Sequence, residues 1–257
     1  MQNLTIALVQ VNQIWENKPR NLGLYEQLIS KLKNIDLIVL PEMFNTSFSM
    51  KPKNLAEEMN DSHGIKWLKK HAKQKQCAIY TSLIIKEHNK FFNRGVFIYP
   101  DGNIDFYDKR KCFSLVNEGD YFKAGDKEKI VSYLSWNINL QICYDLRFPL
   151  NVINSFTKDE SPKYDLLIYV ANWPEKRIKQ WDILLKARAI ENQCFVLGVN
   201  RTGTDGNNIK YSGNSVAINP IGKNLSTLTD KETVIVVKIN KKELINIREK
   251  LPFLKDH

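Results

Sequence analysis

Long hydrophobic runs are absent from this 257-residue sequence. No apolar stretch reaches about 18 residues, the length that a membrane-spanning helix needs. The apolar run near the N-terminus has no basic segment before it and no cleavage site, so it predicts a β-strand and not a signal peptide. Linkers, repeats and low-complexity segments are also missing. Length alone allows one or two domains, and we expect a single domain over residues 1–257.

Cysteine and histidine are scarce and scattered. The four cysteines form no CxxC pair, and no Cys/His grouping has metal-ligand spacing. The chain is neither small nor rich in cysteine, so a disulfide framework is not expected. None of the four histidines lies in a motif, which argues against a Cys-His pair of the protease type. We therefore expect no metal or other cofactor, and a reducing cytoplasmic location.

Acidic residues are fewer than basic residues, 28 against 38, and the net charge is +10 with a pI near 9.3. A basic balance can indicate a nucleic-acid partner or anionic substrates. Here the lysines are spread along a helix and its approaches, with no nucleic-acid-binding motif and no basic tail. The sequence therefore predicts a small-molecule ligand, with neither nucleic acid nor membrane as a partner.

Apolar strands and amphipathic helices run through the whole chain. Because helices fall between pairs of strands and not after every strand, the pattern predicts an α/β fold: a four-layer α-β-β-α sandwich with two mixed sheets. Strands are predicted at residues 4–11, 36–40, 77–85, 91–99, 104–106, 130–134, 137–142, 164–170, 195–200, 215–219 and 233–239. Helices are predicted to begin near residue 17 and to cover residues 61–75, 149–156, 175–192 and 241–250.

Three reactive side chains, Glu42, Lys109 and Cys143, each follow a predicted strand. Cys143 lies where its strand should bend into a helix, with Pro149 suited to a first helical turn. We expect that helix N-terminus to lower the pKa of the thiol. Taken singly, the cysteine is also typical of a buried small residue, the glutamate of a cap and the lysine of the surface.

As a set, the three residue types suit a nucleophilic hydrolase. A thiol needs a base to take its proton, and a carboxylate can serve when burial raises its pKa. An ammonium near the reaction centre stabilises an anionic tetrahedral intermediate, as does the backbone N–H that follows the cysteine. That N–H belongs to Tyr144.

The sequences around these side chains resemble the motifs of the nitrilase superfamily of carbon–nitrogen hydrolases. They are LPEMF at residues 40–44, YDKRKCF at 107–113 and ICYDLRFP at 142–149. The resemblance implies a catalytic Glu42-Lys109-Cys143 triad and extends from about residue 4 to about residue 252. Many members carry His-Leu where this chain has Lys111 and Cys112, at positions that are not catalytic in the family.

Two further stretches, YVANWP at residues 169–174 and ARAIENQ at 187–193, resemble the omega-amidase branch, as does the cysteine motif. That branch hydrolyses the terminal amide of 2-oxo acids such as 2-oxoglutaramate and 2-oxosuccinamate. The resemblance also implies that Glu118, in the loop after the lysine, hydrogen-bonds Lys109 and helps to place the substrate amide.

A 2-oxo acid amide carries a carboxylate that must be bound. Arg147 is one turn beyond Cys143 and suits this role, since a guanidinium binds a carboxylate through paired hydrogen bonds. The competing interpretation is a structural ion pair between Arg147 and Asp145 or Glu191. Trp173 and Phe113 are further predicted cavity walls.

Alternatives to an omega-amidase are an amidase of the same superfamily for another linear amide, such as a carbamoyl-amino acid, and a catalytically silent binding protein on the same fold. The resemblance also implies a homodimer formed near the cysteine motif and the C-terminal segment. The apolar candidates for that face, several of which suit the core equally well, are Phe148, Trp181, Leu251, Pro252, Phe253 and Leu254.

Overall fold

The computed structural model describes residues 2–158 and 160–256. Within these ranges the strands are β1 (Leu4–Gln10), β2 (Leu37–Val39), β3 (Glu57–Glu58), β4 (Ala78–Glu87), β5 (Lys90–Ile98), β6 (Ile104–Asp108), β7 (Ile130–Tyr133), β8 (Trp136–Ile142), β9 (Leu166–Ala171), β10 (Phe195–Asn200), β11 (Thr202–Thr204), β12 (Lys210–Ser212), β13 (Val216–Ile218) and β14 (Thr233–Ile239). The α-helices are α1 (Lys18–Ser30), α2 (Pro52–Leu55), α3 (His63–Lys75), α4 (Glu118–Tyr121), α5 (Ile178–Glu191) and α6 (Lys241–Lys250).

Two mixed sheets form the centre of the fold. The first has the order β14-β1-β2-β4-β5-β6, with β3 paired to β4, and the second has the order β13-β10-β9-β8-β7. In the first sheet β1, β2 and β4 run parallel, and in the second β8, β9 and β10 do so. The predicted α/β architecture with two mixed sheets is confirmed, and the short hairpin β11-β12 stands apart from both.

Alternating side chains of β1 show how the layers stack. Leu4, Ile6 and Leu8 belong to the core that the two sheets share. Ala7 and Val9 point the other way, into a second core with the buried faces of α1 and α3. Because successive side chains of a strand point to opposite faces, buried apolar residues in both sets indicate a sheet that is covered on both sides.

Helix α5 covers the outer face of the second sheet at very close range. A Cβ atom on Gly198 of β10 would lie 2.4 Å from Leu185 Cδ1 and 2.7 Å from Trp181 Cζ2, so only glycine fits there. Trp181 is fully buried in this contact. The prediction that Trp181 belongs to an exposed dimer face is therefore wrong, because the close helix–sheet packing encloses the indole.

The helix predicted over residues 149–156 is also wrong. Only a 3-10 turn, Pro149–Asn151, forms there. Asn154 explains the difference: its N–H donates to Asn192 Oδ1 at 2.8 Å, and its Nδ2 donates to the carbonyls of Tyr164 and Asn192, both at 3.0 Å. These long-range hydrogen bonds give the backbone partners that a helix would otherwise supply.

None of the helices in residues 2–158 and 160–256 is long and apolar enough to cross a membrane.

Candidate active site

Glu42, Lys109 and Cys143 lie together, at the points where strands of both sheets end. Glu42 lies just beyond β2, Lys109 follows β6 directly, and Cys143 follows β8 directly. β2 and β6 belong to the first sheet and β8 to the second, so the group bridges the two. All three side chains are buried, with Cys143 the most accessible at 9% exposure.

The ammonium of Lys109 sits between two buried carboxylates. Its Nζ donates to Glu42 Oε1 at 3.1 Å and to both oxygens of Glu118, at 3.0 and 2.8 Å. Burial alone would lower the pKa of Lys109, but Glu118 and Glu42 together raise it well above the usual lysine value. Lys109 is therefore a fixed positive charge at neutral pH.

The carboxylate of Glu42 is held in place from both sides. Besides Lys109, Asn93 donates its Nδ2 to Oε1 at 2.7 Å, and the backbone N–H of Asn172 donates to Oε2 at 2.9 Å. The Nδ2 of Asn172 also donates to the carbonyl of Glu42 at 2.7 Å. With so many donors at fixed positions, both the side chain and its backbone have one orientation.

Cys143 has left-handed backbone geometry, with φ at +45°, and opens the 3-10 turn Cys143–Arg147. Such geometry is strained for a residue other than glycine and occurs often at functional sites. Burial and the nearby Glu42 carboxylate raise the pKa of the Cys143 thiol well above its usual value, although Lys109 opposes them. The predicted lowering of this pKa is wrong, because the thiol is enclosed and a short turn replaces the expected helix.

Asp145 ties the cysteine turn to the lysine segment. Its Oδ2 accepts from the N–H of Ile142 at 3.1 Å and from the hydroxyl of Tyr107 at 2.8 Å, and its Oδ1 accepts from the N–H of Lys111 at 2.9 Å. Burial raises the pKa of Asp145 to about 6. Lys111 contributes a backbone group here, so its departure from the family's usual side chain leaves this contact intact.

Four residues that support the site were not identified from the sequence: Asn93, Asn172, Ser47 and Arg201. Arg201, fully buried, donates to Ser47 Oγ, and Ser47 donates to Asn172 Oδ1 at 3.4 Å. Asn172 carried a usable signal, since it follows the buried strand β9 as Glu42 follows β2. Asn93 is a polar residue inside an apolar strand, a weaker signal of the same kind.

A cavity of about 360 Å³ opens above Cys143. Its walls include Phe113 and Trp173, the two predicted aromatic walls, and also the ring of Tyr144, which meets the Phe113 ring edge to face at 5.0 Å. Two guanidinium groups, those of Arg147 and Arg177, also line it. The cavity therefore combines apolar walls, positive charge and a thiol.

Arg147 does not form the structural ion pair considered from the sequence. Its Nη2 donates to Gln180 Oε1 at 2.5 Å, and its guanidinium lies 4.9 Å from the centre of the Trp173 ring. Of the two acidic partners considered, Asp145 binds other donors and Glu191 pairs with Arg188 at 2.9 Å. Arg147 therefore lines the cavity without an ion pair to either acid, and its role in binding a carboxylate stays a prediction.

In residues 2–158 and 160–256, no group of three or more His, Cys, Asp and Glu side chains is arranged to hold a metal ion. The absence of a cofactor stays a prediction.

The comparisons with known proteins agree on one family for this chain. The carbon-nitrogen hydrolase family model matches residues 5–249. Omega-amidase YafV of Escherichia coli K12 is 37% identical over 257 residues, with 100% of this chain and 97% of the relative covered. The 2-oxoglutaramate amidase of Bacillus subtilis is 32% identical, with 98% of this chain and 96% of the relative covered.

A solved structure is similarly close. XC1258 of Xanthomonas campestris, a CN-hydrolase superfamily protein with an arsenic adduct in its active site, superposes with a TM-score of 0.97 at 37% identity, covering 100% of this chain and 98% of that one. The chain belongs to the carbon–nitrogen hydrolase family and is a hydrolase of amide C–N bonds. The resemblance to the omega-amidase-like branch of the nitrilase superfamily is confirmed.

Proposed function

We propose that this protein is an omega-amidase, which hydrolyses the terminal amide of 2-oxo acid monoamides such as 2-oxoglutaramate and 2-oxosuccinamate and releases ammonia. The observation that carries the proposal is the buried Glu42-Lys109-Glu118 cluster beside Cys143, at the floor of a cavity with two guanidinium groups. The relatives named omega-amidase and 2-oxoglutaramate amidase support it.

In the proposed mechanism, Glu42 takes the proton of the Cys143 thiol as the sulfur attacks the amide carbon. Because the pKa of the thiol is raised, a base must act during the attack. Glu42 then gives the proton to the departing ammonia, which leaves a thioester on Cys143. Finally Glu42 activates a water molecule, and hydrolysis of the thioester releases the acid and restores the thiol.

Two groups are proposed to stabilise the oxyanion of each tetrahedral intermediate. One is the Lys109 ammonium, which burial between Glu42 and Glu118 keeps charged and immobile. The other is the backbone N–H of Tyr144. It stands at the start of the 3-10 turn, where N–H groups have no partner within the turn. Both groups are ordered before substrate arrives, so little reorganisation is needed during the reaction.

The cavity also favours a 2-oxo acid over the corresponding amino acid. An α-ammonium would need a free acceptor, and the carboxylate of Asp205 in the cavity wall is already used. It accepts from the N–H of Asn207 at 2.8 Å, the N–H of Ile209 at 3.0 Å and the hydroxyl of Tyr211 at 2.8 Å. The guanidinium groups of Arg147 and Arg177 would also repel the α-ammonium.

Steady-state kinetics on five amides tests the proposed function. We expect ammonia release from 2-oxoglutaramate and 2-oxosuccinamate with kcat/KM at least ~10-fold above that for glutamine or asparagine, since their α-ammonium would be buried without a partner. We expect a lower kcat/KM for the carbamoyl-amino acid as well. Fastest turnover of the carbamoyl-amino acid would favour the other amidase considered above. No ammonia from any amide would favour a silent binding protein.

Arg147→Ala provides the accompanying variant. If the Arg147 guanidinium binds the substrate carboxylate, its removal should lower kcat/KM for 2-oxoglutaramate at least ~10-fold. The loss for an uncharged amide of similar length should be far smaller. An equal loss on both amides, with a lowered Tm, would assign Arg147 a structural role instead.

We also propose a homodimer. Several apolar side chains near the cysteine turn and the C-terminal segment are exposed: Leu150 by 81%, Phe253 by 59%, Ile153 by 42% and Leu251 by 40%. The two segments adjoin one chain region, since Asn154 donates to the carbonyl of Asn192 at 3.0 Å and Gln193 Nε2 donates to the carbonyl of Leu251 at 2.6 Å. Such a patch is typical of an interface. Leu254, predicted for this face, is buried.

Light scattering at micromolar concentration should give twice the mass of one chain. Phe253→Asp should shift the protein towards monomer, since it places a charge in an apolar interface. Val236→Asp is the matched control, because Val236 is exposed on β14, outside the patch. A wild-type monomer, or equal behaviour of the two variants, would contradict the proposed interface.

A single domain and a cytoplasmic location complete the proposal. Pairing of β1 with β14 joins the two ends of the described chain in one sheet, which supports one domain. All four cysteines are free thiols, and a reducing compartment keeps Cys143 available as a nucleophile.

A further inference from the structure

Arg177 stands at the far end of the short segment that leaves β9. The segment begins with Asn172, whose N–H holds Glu42 at 2.9 Å. The indole Nε1 of Trp173 then donates to the carbonyl of Arg177 at 2.8 Å, which fixes the backbone of the 3-10 turn Glu175–Arg177. The Arg177 guanidinium lies 5.2 Å from the centre of the Phe113 ring and lines the cavity.

The cationic side chains of the cavity differ in what they bind. Lys109 is held by its two glutamates, Lys51 pairs with Glu16 at 3.0 Å, and Arg147 donates to Gln180. Within residues 2–158 and 160–256, the guanidinium of Arg177 contacts the Phe113 ring and has neither a hydrogen-bond acceptor nor an acidic partner. It is only partly exposed to solvent. A half-buried guanidinium with all its donors free is a site for an anionic ligand.

We propose that Arg177 is a specificity-determining residue that binds the carboxylate of the substrate, so that the enzyme selects amides that carry a carboxylate at the other end. The inference rests on the proposed function and extends it. A carboxylate next to a 2-oxo group offers three acceptor oxygens close together. Arg147 has committed one nitrogen to Gln180, and Arg177 supplies a second, uncommitted pair of N–H donors.

The position of Arg177 gives the contact a second effect. Asn172 and Arg177 belong to one short segment. At its start the N–H of Asn172 donates to Glu42, and at its end the carbonyl of Arg177 accepts from Trp173 Nε1. A carboxylate held at Arg177 therefore lies at a set distance from the general base. Binding at the charged end places the amide carbon near Cys143, and a contact that orients the reacting group is expected to act on kcat/KM.

Arg177→Gln tests the inference, because it removes the charge and keeps a polar side chain of similar reach. We expect kcat/KM for 2-oxoglutaramate to fall at least ~10-fold, with less than a ~3-fold change for pentanamide, which has no carboxylate. Lys176→Gln is the matched control: it removes the same charge from the neighbouring exposed residue, outside the cavity. It should leave both rates within ~2-fold. An unchanged ratio of the two rates in Arg177→Gln would overturn the inference.

A binding measurement separates this inference from the proposed function. On a Cys143→Ala background, calorimetry with succinamate, a carboxylate-bearing amide without the 2-oxo group, should show at least a ~10-fold higher Kd after Arg177→Gln, and no change after Lys176→Gln. This result would support the role of Arg177 even if wild-type enzyme failed to hydrolyse 2-oxo acid amides. Equal Kd values in the two variants would refute that role even if the proposed function held.

Discussion

Cys143→Ala is expected to abolish amide hydrolysis and to leave the fold intact. In the proposed mechanism the Cys143 sulfur forms the thioester, so kcat should fall by roughly 10⁴-fold or more, as for loss of the nucleophile in other covalent hydrolases. Alanine bears the same left-handed backbone strain as cysteine at φ +45°, and it removes only one buried atom. Ammonia release and Tm are the two measurements.

Cys112→Ala is the matched control. Cys112 is a partly buried thiol within the lysine motif, and it does not line the cavity. Its replacement should leave kcat within ~3-fold. Turnover by Cys143→Ala near the wild-type rate would end the thioester mechanism. Loss of activity together with collapse of the Tm would mean that the variant had not kept its fold, and Cys143→Ser would then serve, since it retains the size of the side chain.

Lys109→Ala is expected to lower kcat by at least ~100-fold, the usual cost of losing an oxyanion donor. Lys109→Arg should not restore activity, because a planar guanidinium cannot occupy the space of a compact ammonium between two carboxylates. Since the pKa of Lys109 is raised above its usual value, the ammonium persists throughout the neutral range. No part of the pH profile between about pH 6 and 9 should then report loss of the Lys109 proton.

Stability needs a separate control in this case. Without Lys109, Glu42 and Glu118 face each other as buried carboxylates, and breaking a buried ion pair costs about 3–5 kcal/mol. Glu118→Gln added to Lys109→Ala removes the surplus charge, so Tm should recover while kcat stays at least ~100-fold down. Recovery of both would show that Lys109 serves only to neutralise its neighbours. A fully active Lys109→Arg would show that diffuse positive charge suffices.

Sequence patterns located the strand ends well, and with them the residues that the structure brings together. Glu42, Lys109 and Cys143 each follow a predicted strand, and the ends of these strands converge in the structure. The alternation of β1 side chains between the two faces of the sheet likewise determines which of them meet the helices. These features depend on residues close together in the chain, which is why they can be read from it.

Other features depend on partners distant in the sequence, and those were missed. The segment after Pro149 looks helical until Asn154 finds Asn192, and Trp181 looks exposed until Gly198 brings α5 against the sheet. The pKa of Cys143 is of the same kind, since burial and Glu42 act together on it. No local sequence pattern encodes the combined effect on a side chain of residues that are distant in the sequence.

The cluster of Glu42, Lys109 and Glu118 beside Cys143 has one more consequence, for the net charge of the reaction centre. With a neutral thiol, two carboxylates and one ammonium carry −1. In the proposed mechanism, the oxyanion appears as Glu42 takes up a proton, and Glu42 is ionised again when the thioester forms, so the total remains −1 throughout. An enclosed, weakly polarisable interior resists any change of net charge. Because the proton passes between Glu42 and the reacting groups, the proposed reaction proceeds without a change in the net charge of the reaction centre.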